Sequence, residues 1–175
     1  MVVIVVGFTL LGQMQSGVSS NNDEEQPLPT RESQIPTDAV KVTSQTDLNI
    51  PKSSSSEYYD PVPVSGMVNT AGGEDSAFIM PSGSVLYFFF VPDVRVPVTE
   101  QVLDPTAGIY VSMKSSDGWS EPVRVVLQDS GKLAMDGCEF VQGDIMYFCS
   151  AREGYTGFTG LKLNLLMGVG RTGRM

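Results

Sequence analysis

The side chains in this chain best suited to chemistry are carboxylates set close together. Glu74 adjoins Asp75, and Asp136 lies just ahead of Glu139. Paired carboxyl groups can share the acid and base steps of glycoside hydrolysis. Arg152 has a guanidinium fork that suits a carboxylate or a phosphate. Cys138 and Cys149 lie close in sequence, either facing each other across one hairpin or standing as small buried thiols; free, buried thiols are the expectation. The chain contains no histidine, which removes histidine general bases and histidine-liganded metals. Serine hydrolysis lacks its usual histidine and its Gly-x-Ser-x-Gly elbow. Gly168-Val169-Gly170 is too short for a phosphate-cradling loop and follows no clear strand signal. Short acidic side chains in strand-rich sequence usually cap loops by accepting from backbone N–H groups. Glu74, Asp75, Asp136 and Glu139 are therefore expected to be architectural, and Arg152 to pin a loop. No catalytic, cofactor-binding or metal-ligating residue is assigned, and no cofactor is expected.

The elements that must hold these residues are strands. Gly108 to Ser150 carries the densest strand signals. Gly108–Ser112 is β-rich, Asp117-Gly118 marks a turn, and Trp119–Val126 is a second run. Phe140-Val141, a Gly143-Asp144 turn and Ile145–Cys149 predict a hairpin. Upstream, Ser76–Met80 predicts a short strand, Pro81-Ser82-Gly83 a turn, and Val85–Val91 a strand buried on both faces. Trp119 and Phe88-Phe89-Phe90 are expected in the core. Pro92, Pro97 and Pro105 make the stretch from Val91 to Thr106 an irregular surface insertion.

The flanks read differently. Residues 1–18 open with the apolar run Met1–Leu11, shorter than the ~20 residues that cross a bilayer. The run matches the apolar part of a secretory signal or membrane tether, without a basic leader. Export or tethering on the extracytoplasmic side is the expectation. Residues 19–64 are rich in Ser, Pro, Asn, Thr and acidic residues and predict a flexible spacer. Residues 65–157 form the organised module. Residues 158–175 lose the strand-turn rhythm and are expected to be an irregular tail, the mark of a truncated or frameshifted product. The net charge of −9 disfavours nucleic acid as a partner, because phosphate binding needs clustered cations.

An internal repeat links the halves of the module. Asp75 to Phe88 and Asp136 to Phe148 both read acidic residue, small residue, strand, Gly-containing turn, apolar pair, Tyr-Phe, with Asp75 matched to Asp136 and Tyr87 to Tyr147. The period is roughly sixty residues, against ~40–50 for propeller blades, the excess being the proline-rich insertion. Four short strands fit each period. The pattern resembles the TolB/Tricorn-type β-propeller repeat, a WD-repeat-like blade. Met80-Pro81-Ser82-Gly83 matches its turn, Ser150-Ala151-Arg152-Glu153-Gly154 its Ser-x-Arg-x-Gly segment, and Asp117-Gly118-Trp119-Ser120-Glu121-Pro122 its outer-strand opening. Asp117-Gly118-Trp119 also has a superficial likeness to the sialidase Asp-box but lacks the residue that motif places between Asp and Gly.

The resemblance covers about Gly72 to Gly157 and implies an all-β fold, a partial propeller of about two four-stranded antiparallel blades. It implies a non-enzymatic extracytoplasmic binding or scaffold module for a protein or carbohydrate ligand. Membrane contact would come only through the N-terminal segment, and two blades alone would favour self-association. The alternatives are a glycan-acting hydrolase whose catalytic blades are missing, or a non-functional truncated product.

Overall fold

The computed structural model describes residues 28–129, 131–143, 145–152 and 166–171, the last stretch as backbone strand. The apolar run at 1–18 lies outside the described residues, as do the start of the expected spacer and residues 153–165 and 172–175 of the expected module end and tail. In chain order the elements are helix α1 (Arg31–Gln34), β1 (Gly73–Ile79), β2 (Val85–Val91), helix α2 (Val98–Gln101), β3 (Gly108–Ser115), β4 (Gly118–Trp119), β5 (Val123–Arg124), β6 (Ala134–Gln142), β7 (Ile145–Arg152) and β8 (Leu166–Arg171). The fold is all-β and antiparallel, with two single-turn helices.

The first sheet runs β1-β2-β3, and β3 pairs on its far edge with both β4 and β5. The fourth position is thus one strand in two pieces. The run predicted from Trp119 to Val126 breaks at Pro122, which has no N–H to give the ladder. Ser112 bridges the break by donating to the Ser120 carbonyl at 2.7 Å. The outer edge of β4 is covered rather than open: Trp119 N–H donates to the Ser65 carbonyl at 3.1 Å, and Met67 N–H to the Trp119 carbonyl at 3.1 Å. The second sheet is β6-β7-β8, three strands among the described residues. Within 158–175, expected to be irregular, Leu166–Arg171 pairs with β7 from Ile145 to Ser150. Two glycines in that stretch hide it from propensity, but backbone pairing to an open strand edge needs no side chains.

β2 is buried on both faces, as its apolar run predicts. Leu86, Phe88 and Phe90 join Tyr110, Val68 and Trp119 on one side of the first sheet. Tyr87, with Ile109 and Val111, packs on the other side against Val141, Met146 and Phe148 of the second sheet. β6 lies against β1, β2 and β3, so the two sheets stack face to face. Phe78 and Phe140 meet across the stack in a T-shaped pair with centroids 5.0 Å apart. The proline-rich insertion is not all surface: it forms α2 and buries Val102 and Thr106.

The stretch expected to be a spacer contributes a core residue. Arg31 is 2% exposed and lies over the rings of Phe88, Phe90 and Tyr110 at 5.3–5.6 Å. Its guanidinium donates to the Val68 carbonyl at 3.0 Å and the Met67 carbonyl at 2.7 Å. Glu74 stands 3.7 Å away and Glu121 3.5 Å. Composition alone hides this anchor, because one arginine with aromatic and acidic partners elsewhere in the chain leaves no local signal.

Candidate functional site

The repeat is real in three dimensions, with its register moved by one residue. Phe78 pairs with Tyr87, and Phe140 with Tyr147. Counting back from these pairs, Glu74 opposite Phe90 is the counterpart of Asp136 opposite Ser150, and Asp75 that of Gly137. The sequence match of Asp75 with Asp136 misplaces the acid because the second turn is shorter: Ile79 pairs with Leu86, but Val141 with Met146. Both β1 and β6 carry a bulge at the same place. Ser76 at φ 52° and Cys138 at φ 53° are the two non-glycine residues in left-handed backbone among those described. The two bulges face each other, and the Ser76 hydroxyl donates to the Cys138 sulfur at 3.7 Å.

The four carboxylates singled out in the sequence separate into three settings. Glu74 accepts from the Thr70 N–H at 3.0 Å and the Thr70 hydroxyl at 2.5 Å, and it faces Arg31; burial outweighs these partners and raises its pKa. Asp136 is fully buried and accepts from Ser150 and, at 2.7 Å, from Arg152. Arg152 also donates to the Ser150 hydroxyl at 2.7 Å and to the Leu127 carbonyl at 3.2 Å. Arg152 thus ties β6, β7 and the segment after β5 together, the pinning role expected of it.

Asp75 and Glu139 share the third setting, on the edge strands β1 and β6. Glu139 is 4% exposed, and both its carboxyl oxygens are buried with no hydrogen-bond partner. Burial, with a contribution from the charge of Asp75, pushes its pKa up to about 7. It is an acid that keeps its proton well above the ordinary carboxylate range. Its oxygens lie beneath the surface, and it does not line the adjoining groove of about 190 Å³, which is bounded by Asp75, Ser76, Phe89, Cys138 and Cys149 among others. Of the cysteines, both are free, but Cys138 is exposed and Cys149 half-buried rather than both buried, because the bulge pushes Cys138 out of the ladder.

One concavity was not legible in the motifs. A cleft of about 670 Å³ lies where the α2–β3 connection meets the β5–β6 connection. Leu28, Leu103, Val126 and Leu133 border it, and all four are exposed, at 49%, 62%, 56% and 42%. Arg124 lies at its base. The guanidinium donates to the carbonyls of Ala107, Ile109 and Val125 at 2.7, 3.2 and 2.8 Å, lies 5.7 Å from the Tyr110 ring, and leaves its buried Nε without a partner. Burial pulls its pKa below the ordinary value. Gly108 at φ 140° makes room for it, since a β-carbon there would strike the guanidinium. Tyr110 donates its hydroxyl to the Thr106 carbonyl at 3.0 Å, and burial pushes its pKa up to about 12. Asp129 and Lys132 pair at 2.7 Å on the rim. The cleft joins residues from three separate stretches of sequence, so only the folded chain reveals it.

Among the described residues no group of three or more Cys, Asp or Glu side chains is placed to hold a metal, and no helix is long and apolar enough to cross a membrane. No protein-family model, curated protein or solved structure matches the chain. The likeness to the TolB/Tricorn repeat therefore stands on the quoted motifs alone.

Proposed function

We propose that this chain is a non-enzymatic binding module that takes an apolar peptide segment of a partner protein in the Arg124 cleft. The observation that carries this reading is the clustering of four exposed aliphatic side chains, Leu28, Leu103, Val126 and Leu133, around one concavity. Ligand sites are typically clefts of this size, mostly apolar with a few convergent polar groups. The lining has no aromatic side chain. Sugar rings are gripped chiefly by aromatic faces, so the chemistry favours a peptide over a carbohydrate. The net charge of −9 favours a partner other than nucleic acid. The apolar run at Met1–Leu11 supports placing the module on the extracytoplasmic side. The stacked four-position meander supports a propeller-like blade as its scaffold. The hydrolase alternative asks for a carboxylic acid open to substrate, and Glu139, with its pKa raised to about 7, is closed off.

The test is selection of a random peptide library on the full chain, followed by affinity measurement on Leu103→Asp and Leu133→Asp. Both side chains are exposed, so both variants should fold. Selected peptides should share an apolar consensus and bind each variant about tenfold or more weakly, the scale of a buried contact residue. Selection without an apolar consensus, or equal binding to the variants, overturns the reading. Turnover of aryl glycosides by the purified chain, lost in Glu139→Gln, would replace it with the hydrolase.

A further inference from the structure

We propose that Cys138 and Cys149 are a redox-modification site, closed to a disulfide by exchange with a small-molecule disulfide of the glutathione class. The bulge makes the pairing feasible. Gly137 pairs with Cys149, and the next regular pair is Phe140 with Tyr147, so Cys138 and Glu139 together oppose Phe148. In an unbroken ladder Cys138 would follow Gly137 onto the face opposite Cys149. Left-handed backbone at Cys138 instead returns its side chain to the face Cys149 occupies, and both line the same groove of about 190 Å³. Gly137, directly opposite Cys149, has no side chain to separate the sulfurs. Burial and the Cys138 thiol beside it raise the pKa of Cys149. Cys138 is exposed, which makes it the first nucleophile.

The exchange balances in two steps. The Cys138 thiolate attacks one sulfur of glutathione disulfide, forming a mixed disulfide and releasing one glutathione thiolate. The Cys149 thiolate then attacks the Cys138 sulfur and releases the second. Two protein thiols are oxidised, one glutathione disulfide is reduced to two glutathiones, and the thiol protons pass to the released thiolates or to solvent. Closure also bears on the sheet stack, because the Cys138 sulfur accepts the Ser76 hydroxyl between β6 and β1. A bond to Cys149 draws that sulfur toward β7 and alters the one side-chain hydrogen bond described between the bulges.

The experiment equilibrates the full chain at pH 8 with glutathione buffers from fully reduced to fully oxidised and maps its peptides without reduction. A peptide linking Cys138 to Cys149, with the loss of two hydrogens, reversed by dithiothreitol and titrating with the glutathione ratio, is the expected result. Cys149→Ser should stop at the glutathione adduct on Cys138, with circular dichroism showing that the variant folds. Wild-type protein that ends as free thiols, as a stable mixed disulfide, or as disulfide-linked dimers in the oxidised buffer overturns the proposal.

Discussion

Replacing Glu139 by Ala should change how stability depends on pH, in a window set by this one carboxyl. Burial beside Asp75 raises its pKa from an ordinary 4.5 to about 7. Between these values the native protein keeps a proton that the unfolded chain has released. Stability therefore falls as pH rises through the window and stays reduced above it. At about 1.4 kcal/mol per pH unit, the ionised form carries a penalty of about 3 kcal/mol at pH 8. Alanine is the informative replacement because Ala77 already occupies the equivalent place in the β1 bulge, opposite Phe88. Glutamine would exchange an unpartnered carboxyl for an unpartnered amide. Any loss of packing from the smaller side chain is the same at every pH, so the diagnostic quantity is the change in the difference between the two proteins. Urea unfolding of both should be followed in half-unit steps from pH 4 to pH 8. The stability of the variant relative to wild type should rise by about 3 kcal/mol from pH 4.5 to pH 7 and then level off. Parallel curves for the two proteins would refute the argument that Glu139 is buried without partners.

Arg31→Ala removes a cation enclosed by three rings and takes from the half-buried Glu74 its ion-pair partner; urea unfolding should show a loss of about 3 kcal/mol. Limited proteolysis should at the same time open the segment around residues 28–40, and unchanged cleavage there would mean that Arg31 does not anchor it. Asp136→Ala removes the carboxylate to which Ser150 and Arg152 both donate, and should lower stability by about 3–5 kcal/mol in the same assay. Gly66 at φ 93° sits against the Trp119 backbone, so Gly66→Ala should lower stability by about 1–3 kcal/mol and speed amide exchange at Trp119 and Met67. Exchange at those two amides that matches wild type would mean that the Ser65–Met67 segment does not cover β4.

Short-range pattern carries the strands because alternation, turn glycines and prolines act over a few neighbouring residues. Val85–Val91, the Gly143 turn and the Asp117-Gly118 turn are legible for that reason. The repeat is legible as well, since its two copies use the same bulge and the same Tyr-Phe ending. Its register is not, because a match of residue types cannot tell a lost turn residue from a shifted acid. Hydrogen-bonded pairing decides that Glu74, rather than Asp75, corresponds to Asp136.

Burial and long-range pairing belong to the tertiary structure. Asp136 and Glu139 look alike in the sequence. One meets an arginine and a serine inside the stack and serves as a pin. The other is buried with no side-chain partner and holds its proton above the ordinary carboxylate range. Arg31 lies in a stretch whose composition describes a spacer, yet the rings of Phe88, Phe90 and Tyr110 draw it into the core. The Arg124 cleft takes its walls from distant stretches of chain, and Cys138 reaches the side of Cys149 only through a left-handed residue in a bulge. By itself the sequence determined an all-β chain of short antiparallel strands, because strand formation follows local pattern. The tertiary structure alone decided which charged groups find partners and where a cavity opens, because both depend on residues that only folding brings together.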